Sequence, residues 1–397
     1  MLKDKSIFRD KEVLSPHYVP EQLLFRENEI TRLMTALLPA LKDSRPHNAF
    51  IYGKTGTGKT ATLRKVLQEL GEENNERVKT TYMNCRVYDS RYKVLQKCIS
   101  GFQPDFAKTG FSFSVLYEKL LDWVEGAGDG VAGKRLVVAL DEIDAVKDLD
   151  SLMYTLTRAN DDLKKGSVTI IGISNKVNFK NRLDTRSRSS LCEEELVFQS
   201  YNAEQLKGIL QQRIGQAFEE EAVVEENAVN LAAAIAAGEN GDARYALNLL
   251  LRAGEIAEEK GGKVSDKEVE RARKMADEDK AFEIVSSLPE HQQILLLALA
   301  SLATDAHYKR LFEENGEKFY FSGEVYEKYC SLVKRMGKEP RTARWYREYL
   351  NDLETAGLIT TIQSGKGVRG HTTLVRMGYE PEKVRKIIEK TLAAETA

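Results

Sequence analysis

The amino-acid sequence predicts an α/β domain, then a helical domain, then a module of helices that ends in a hairpin. Up to about Phe198, short apolar and β-branched runs alternate with helix-length stretches, which is the pattern of a parallel sheet with crossover helices. Beyond Phe198 the strands stop and amphipathic stretches follow one another. From about Glu283, three more helices precede two short strands around a glycine-rich segment. We therefore expect domains at residues 1–200, 201–282 and 283–397.

The composition is that of a globular protein of two or three domains. The 397 residues carry 59 basic and 61 acidic side chains, a net charge of −2, which argues against a uniformly basic nucleic-acid binder but allows a local basic patch. The four cysteines lack CxxC spacing, which argues against a zinc site or a disulfide framework. The longest apolar run, Ile294–Leu302, is too short to cross a bilayer. We expect a cytoplasmic protein with no membrane partner.

The α/β domain is expected to begin with an extended arm. Residues Ser6–Arg26 contain Pro16 and Pro20 and show little periodicity, and they lead into a helix predicted over Glu27–Leu41. The strands are predicted at Ala49–Tyr52, Val78–Met83, Leu136–Leu140 and Val168–Ile173.

The helical domain is predicted from amphipathic segments that glycines separate. These helices are expected at Ala203–Phe218, Glu226–Ala237, Ala243–Glu259 and Ser265–Ala276. In the last module, helices are expected at Pro289–Thr304, Ser322–Met336 and Arg341–Ala356, and strands at Leu358–Thr361 and Thr372–Arg376. Helices followed by a hairpin are typical of a winged-helix module.

A phosphate-binding motif stands between the first strand and the next helix. Residues Gly53–Thr60 match GxxxxGK[ST], whose backbone N–H groups converge on phosphate oxygens at a helix N-terminus. Lys59 would reach the β and γ phosphates, and the Thr60 hydroxyl would bind Mg²⁺. We assign nucleotide binding to Gly53, Thr55, Gly56, Thr57, Gly58, Lys59, Thr60 and Thr62.

Carboxylates follow a buried strand about 80 residues downstream. Asp141 is expected to bind Mg²⁺, and Glu142 to orient the water that attacks the γ-phosphate. Asn175 ends the next strand, where its amide could hold the γ-phosphate or this water. Taken alone, the acidic pair could be a solvated loop and Asn175 a turn cap; after a phosphate loop, we favour the functional interpretation.

Seven segments carry a family likeness that covers nearly the whole chain. They are Tyr18–Glu21 with Arg26–Glu27, Tyr52–Thr60, Leu140–Asp144, Ile173–Asn175, Leu183–Leu191, Tyr201–Gln205 and Gly241–Leu247. In these segments the sequence resembles the AAA+ ATPase superfamily, and within it the archaeal replication initiators related to origin recognition complex subunit one and the cell division control loader. The resemblance implies an AAA+ P-loop ATPase core with a helical lid and a C-terminal winged helix.

The resemblance also implies roles for several arginines. Arg244 resembles the sensor-2 arginine, which reaches the nucleotide phosphates from the lid. Arg186 lies in the box that carries the arginine finger of the family, with Arg188 as a near-equal choice. Thr185 stands where many relatives have proline, and Ser187 replaces a usual valine.

For the base of the nucleotide, the resemblance implies a pocket formed by the arm. Its members are Val19 and Pro20, with Arg26 and Ile30. Tyr201 is also expected to contact the nucleotide. Plain packing of the arm on the sheet is an equally good explanation for these residues.

DNA contact is predicted in the last module. In the helix Arg341–Ala356, one face carries Tyr346, Tyr349, Leu350 and Leu353, and the opposite face is polar and basic. We assign DNA binding to Arg341, Arg344, Arg347 and Asn351 on this helix and to Lys366 and Arg369 in the wing. An insertion at Gly101–Leu116 resembles one that touches DNA in relatives, although its aromatics could equally form a satellite core.

The function that these features indicate is an ATP-dependent initiator of DNA replication. It would bind double-stranded origin DNA and use ATP/ADP and Mg²⁺ with slow hydrolysis. The family resemblance further implies that it recruits the MCM replicative helicase and associates with other initiator subunits at the nucleoid. Two alternatives stay open. One is a non-catalytic DNA-binding regulator that retains nucleotide, and the other is a signalling NTPase whose winged helix binds protein.

Overall fold

The computed structural model describes residues 6–42, 44–72, 77–103, 110–126, 132–176, 178–179, 183–185, 193–305, 308, 311–314, 317–363 and 373–395, with the backbone alone at 193, 311–314 and 393–395. The chain divides into two compact units, Met1–Glu270 and Arg271–Ala397. Among the described helices, none combines the length and the apolar character needed to span a bilayer.

A five-stranded parallel sheet forms the centre of the first unit. Its strands are β1 (Asn48–Gly53), β2 (Val78–Asn84), β3 (Arg135–Asp141), β4 (Ser167–Ser174) and β5 (Glu193–Phe198), in the order β2-β3-β4-β1-β5. The four predicted strands are confirmed, and β5 is an additional edge strand that pairs with β1. Every residue of β3 and β4 is buried, because helices cover both faces of the sheet.

Within the described part of the first unit, five helices surround this sheet. They are α1 (Glu27–Leu37), α2 (Lys59–Glu72), α3 (Arg91–Phe102), α4 (Phe113–Glu125) and α5 (Leu149–Asp162). The helix predicted to reach Leu41 ends earlier, and a 3₁₀ turn continues it over Leu38–Lys42. Pro39 lies in that turn, and its missing N–H and its ring are incompatible with a continuous α-helix.

The helical part of the first unit follows β5. It contains α6 (Ala203–Ala217), α7 (Glu226–Gly238) and α8 (Ala243–Lys260), and α9 (Asp266–Ser287) continues beyond the boundary between the units. Asn202 and Gln205 form a capping box that begins α6. The chain leaves α8 through Gly261 in the left-handed region, with φ at +63°. The helix α9 is longer than predicted, since neither glycine nor proline interrupts it after Ala276.

The N-terminal arm packs on these helices. Phe8 is buried and stacks on Phe218, with ring centroids 4.7 Å apart. A short 3₁₀ helix, Lys11–Leu14, buries Val13 and Leu14. The arm is therefore extended only in part, and burial of its apolar side chains fixes its position.

The second unit has the predicted helices and hairpin. Its helices are α10 (Glu290–Thr304), α11 (Ser322–Arg335), α12 (Ala343–Thr355) and α13 (Pro381–Glu395). Its antiparallel sheet has the order β6-β7-β9-β8, with β6 (Leu311–Glu314), β7 (Glu317–Phe321), β8 (Ile359–Gln363) and β9 (Thr373–Met377). The pair β6 and β7 was not predicted, although the sequence Asn315-Gly316 between them is a strong hairpin signal.

Candidate nucleotide-binding and DNA-binding sites

A cavity of about 360 Å³ lies at the carboxyl ends of the strands in the first unit. The arm, the phosphate loop, the ends of β2, β3 and β4, and the helices α6 and α8 line it. This is the usual location of ligands in parallel α/β sheets. Predicted site residues in the lining are Val19, Pro20, Thr55, Gly56, Thr57, Gly58, Lys59, Thr60, Asp141, Glu142, Asn175, Tyr201 and Arg244.

The phosphate loop has a conformation that requires glycine. Gly56 and Gly58 have φ values of +69° and +88°, in the region that side chains with a Cβ rarely adopt. A Cβ on Gly56 would also lie 1.7 Å from Oδ1 of Asp242, which precedes α8. The Thr57 hydroxyl donates to the carbonyl of Lys54 at 2.9 Å and closes the loop internally. The loop is thus organised around backbone groups that can face an anion.

Lys59 is buried at the first position of α2. Its ammonium donates to the carbonyls of Gly53 at 2.8 Å and Lys54 at 2.5 Å. Burial lowers the pKa of this ammonium to about 8, although Asp141 opposes the shift and Arg244 adds to it. A triphosphate in the cavity would give the ammonium anionic partners in place of neutral carbonyls.

The two residues predicted to bind Mg²⁺ are in contact. The Thr60 hydroxyl donates to Oδ2 of Asp141 at 2.8 Å. Tyr82 donates to the same oxygen at 2.7 Å, and burial followed by the nearby carboxylate raises the pKa of this phenol to about 12. A hydroxyl beside a carboxylate is a donor set that suits a hard cation such as Mg²⁺. Asp141 also accepts from the Glu142 N–H at 2.9 Å, so its orientation is fixed from three directions.

Glu142 has a left-handed backbone conformation, with φ at +53°. Its carboxylate is held by the guanidinium of Arg86, which is three-quarters exposed. Asn175 follows β4 and Asn84 ends β2, the two strands that flank β3, so both side chains reach the same cavity as Glu142. The carboxylate is therefore close to polar groups of both neighbouring strands and is already engaged by a cation.

The first turn of α8 contacts the phosphate loop. The Ala243 N–H donates to the Gly56 carbonyl at 3.2 Å, and the Lys54 ammonium donates to Oδ1 of Asn240 at 3.3 Å. Asp242 caps the helix by accepting from the N–H groups of Arg244 and Tyr245. Arg244, the predicted sensor, is thereby held at the cavity wall at the point where the helical part meets the loop.

Arg26 lies beside the cavity but outside its lining. Its buried guanidinium donates to the carbonyls of Thr57 at 2.9 Å, Gln199 at 2.7 Å and Phe25 at 3.0 Å. It also stacks on Tyr201, with Cζ 4.0 Å from the ring centroid. Arg26 therefore stabilises the phosphate loop through the Thr57 carbonyl and does not line the cavity. Gly53 and Thr62, two further predicted nucleotide contacts, also lie outside the lining.

Several lining residues were not predicted. They include His17, Tyr18, Leu23, Leu24, Arg64, Tyr82, Asn84, Ile209, Gln212, Arg213 and Leu247. They come from the arm, α2, β2, α6 and α8, so no single spacing in the sequence brings them together. Two of them, Tyr18 and Leu247, lie inside segments that carry the family likeness.

Some predicted residues lie outside the described part of the chain. These are the finger residues Arg186 and Arg188, the wing residues Lys366 and Arg369, and residues 104–109 of the predicted insertion. The described aromatics of the insertion are packed: Phe102 stacks on Trp123 with centroids 4.0 Å apart, and Phe111 and Phe113 contact the same core. For these three, the satellite-core interpretation agrees with the structure.

The second unit presents the predicted basic face on α12. Tyr346, Leu350 and Leu353 are buried in its core, whereas Arg344, Arg347 and Asn351 are exposed. The predicted division of this helix into two faces is confirmed. Arg341 precedes the helix, and its carbonyl accepts from Tyr326 at 2.9 Å while its N–H donates to Tyr329 at 3.2 Å. Trp345, half exposed on the same helix, was not predicted.

Comparison with known proteins gives matches along the whole chain. Family models match residues 42–178 (AAA domain), 207–274 (Cdc6 AAA+ ATPase-type lid domain) and 283–387 (CDC6, C-terminal winged helix domain). The ORC1-type DNA replication protein of Pyrococcus abyssi is 39% identical over 397 residues, which cover 98% of this chain and 91% of the relative. ORC1-type DNA replication protein 1 of Archaeoglobus fulgidus is 40% identical over 395 residues, with coverages of 98% and 92%.

A solved structure is also similar over the full length. The structure of the Aeropyrum pernix ORC1 protein in complex with DNA has a TM-score of 0.74 and 34% sequence identity, and the match covers 99% of this chain and 100% of that one. The predicted fold class, a AAA+ core with a helical lid and a C-terminal winged helix, is confirmed.

Proposed function

The chain belongs to the family of ORC1-type DNA replication proteins, and on this premise we propose that it is an ATP-dependent initiator that binds double-stranded origin DNA. The observation that carries the proposal is the meeting of Lys59, Thr60, Asp141, Glu142 and Arg244 at one cavity. These residues come from the phosphate loop, a strand end and the lid, and each has the chemistry that its predicted role needs. The solved relative in complex with DNA supports the DNA half of the proposal.

The placement of the side chains supports the proposal that ATP is hydrolysed at this cavity. Bound Mg²⁺ would neutralise part of the phosphate charge, and Thr60 and Asp141 are the residues that would hold it. Lys59 stabilises charge on the β and γ phosphates. Glu142, once free of Arg86, accepts a hydrogen bond from the attacking water and orients it. Because this release is required first, slow turnover is expected.

DNA binding is proposed for the winged-helix domain. The exposed side chains Arg344, Arg347 and Asn351 present cationic and amide donors that suit phosphates and base edges of a duplex. We propose the same role for Arg341, and for Lys366 and Arg369 of the wing. We retain the domains 1–200, 201–282 and 283–397 as the working division, and recruitment of the MCM replicative helicase and association with other initiator subunits as the downstream steps.

A nucleotide-retaining regulator without turnover is the second candidate function. The ion pair between Glu142 and Arg86 favours it, because a carboxylate engaged by a guanidinium is a poorer acceptor for a water proton. This candidate keeps the DNA-binding half of the proposal and removes hydrolysis.

Phosphate release by the parent protein, Glu142→Gln and Glu255→Gln separates the two candidates. Glu255 is an exposed residue of α8 and serves as the matched control. An initiator that turns over ATP releases phosphate in the parent and in Glu255→Gln but not in Glu142→Gln. Equal release in all three at the background level supports the regulator. Footprinting on chromosomal fragments at physiological salt tests the other half, which fails if no site is preferred.

A further inference from the structure

One buried arginine in the cavity wall has donors without acceptors. Arg213 lies on α6, its residue is only 5% exposed, and it lines the cavity beside the arm. Its Nε and Nη1 are completely buried, and neither has a hydrogen-bond partner within the described residues. The guanidinium faces the ring of Tyr18, with Cζ 4.7 Å from the centroid.

Burying the Arg213 guanidinium costs free energy when no ligand is bound. Nε and Nη1 of a guanidinium that are buried against an aromatic face lose their hydration without regaining hydrogen bonds. Burial lowers the pKa of Arg213, and the nearby Tyr18 opposes this shift. A ligand that brings hydrogen-bond acceptors into the cavity would therefore be stabilised by hydrogen bonds from this side chain.

Two polar side chains next to Arg213 already have hydrogen-bond partners. The Gln212 amide donates to the carbonyl of Gln22 at 3.0 Å, and the Tyr18 hydroxyl donates to Oε1 of Gln216 at 3.2 Å. These bonds join α6 to the arm. They leave the Arg213 guanidinium, which has five N–H donors, as the strong donor of this wall.

The chemistry of ATP indicates what would meet this donor. The phosphates have their partners on the phosphate loop, at Lys59 and at Arg244, so the part of the nucleotide left for the wall of arm and α6 is the nucleoside. Its acceptors are the purine ring nitrogens and the ribose oxygens. We propose that Arg213 binds the nucleoside part of ATP and ADP through one of these acceptors and so sets affinity for the nucleotide independently of its phosphates. This inference rests on the proposed nucleotide-binding function.

The test is calorimetric titration of the full chain with ATP, ADP and inorganic tripolyphosphate. The variants are Arg213→Met, Arg213→Lys and, as a matched control, Gln211→Met, an exposed position of the same helix. We expect Arg213→Met to weaken ATP and ADP by the same factor, roughly ten- to a hundredfold for a lost charged hydrogen bond. The affinity of Arg213→Met for tripolyphosphate should stay within about twofold of that of the parent, and so should the affinity of Gln211→Met for all three ligands. Arg213→Lys should recover part of the lost affinity for ATP and ADP.

Analogues then identify the acceptor. 7-Deaza-ATP lacks one ring nitrogen, and 2′-deoxy-ATP lacks one ribose hydroxyl. If one analogue binds the parent more weakly than ATP does, and Arg213→Met does not lower its affinity further, the group that this analogue lacks is the partner of Arg213.

Three results would overturn the inference or its premise. If Arg213→Met binds ATP as the parent does while its melting temperature changes, the arginine has a structural role only and the inference fails alone. If tripolyphosphate is weakened by the same factor as ATP, the residue acts on the phosphates or on the lid, and the inference again fails. If the parent binds neither ATP nor ADP, the proposed function fails and the inference with it.

Discussion

Replacing Gly56 by alanine should disrupt the contact between the phosphate loop and the start of α8. The new Cβ would lie 1.7 Å from Oδ1 and 2.0 Å from Cγ of Asp242, distances at which the carboxylate must move. Asp242 caps α8, and the next residue of that helix donates to the Gly56 carbonyl. One methyl group therefore disturbs the loop and the first turn of α8 together.

The magnitude follows from two contributions. Alanine at the φ of +69° found at Gly56 costs about 1–2 kcal/mol relative to glycine. Loss of the Asp242 cap costs a further ~0.5–2 kcal/mol. We expect Gly56→Ala to lower the free energy of unfolding by about 1.5–4 kcal/mol.

Urea unfolding and ATP titration measure the two consequences. The matched control is Gly71→Ala, at a helical position of α2 where an added Cβ meets no atom within 4 Å. That substitution should leave ATP affinity unchanged and stabilise the protein slightly, because alanine favours a helix over glycine by about 1 kcal/mol. Gly56→Ala should lower both the stability and the ATP affinity.

A double-mutant cycle with Asp242→Ala decides whether the clash is the cause. Removing the carboxylate gives the Gly56 Cβ room, so the cap is lost only once in the double variant. The two substitutions together should then cost less than the sum of the singles, by about 0.5–2 kcal/mol. Strict additivity would refute the argument, since it would mean that Gly56 and Asp242 do not meet.

Three other perturbations test separate parts of the molecule. Arg86→Ala should raise basal phosphate release by up to about fivefold, because it frees Glu142 from an exposed ion pair; a fall in the rate would show that the arginine promotes turnover. Burial lowers the pKa of His291 below its ordinary value of about 6.5, so the unfolded chain binds this proton more tightly and stability, complete above pH 6.5, decreases as the pH falls through the lowered pKa. The groups that face this ring are Tyr329, Glu290, Lys338 and Arg341. Urea midpoints at pH 7.5 and pH 5 should therefore differ less in His291→Gln than in the parent, and an equal difference would contradict the assignment. Arg344→Ala should reduce the slope of log K against log salt for duplex binding by about 1; an unchanged slope would mean that this exposed arginine does not contact phosphate.

The sheet could be predicted where its strands are buried on both faces. β3 and β4 are continuous apolar runs because both faces are covered, and such runs are visible in the sequence. β5 begins with three glutamates and lies at the edge of the sheet, where Val197 is half exposed, so it needs no such run. The strands β6 and β7 are short and rich in charge, and only their turn sequence distinguishes them from a loop.

The site could be predicted as far as its chemistry depends on local spacing. The phosphate loop and the pair Asp141 and Glu142 have fixed neighbours along the chain. Tyr82 does not, because it reaches Asp141 only through the register of β2 against β3. Arg86 and Arg213 are likewise single residues whose partners are set by the packing of distant elements.

Two buried arginines show how a side chain that stabilises the protein differs from one that is available to bind a ligand. Arg26 and Arg213 are 4% and 5% exposed, and both lie over an aromatic ring. The donors of Arg26 are matched by three backbone carbonyls, so its burial is compensated within the protein and it has little to offer a ligand. Two donors of Arg213 are unmatched within the described residues, so its burial is compensated only when acceptors enter the cavity. The two side chains are of the same type and are equally buried, and they differ in whether their N–H groups have acceptors in the protein. For this reason Arg213 is the better candidate for binding a ligand, although the family likeness indicated Arg26.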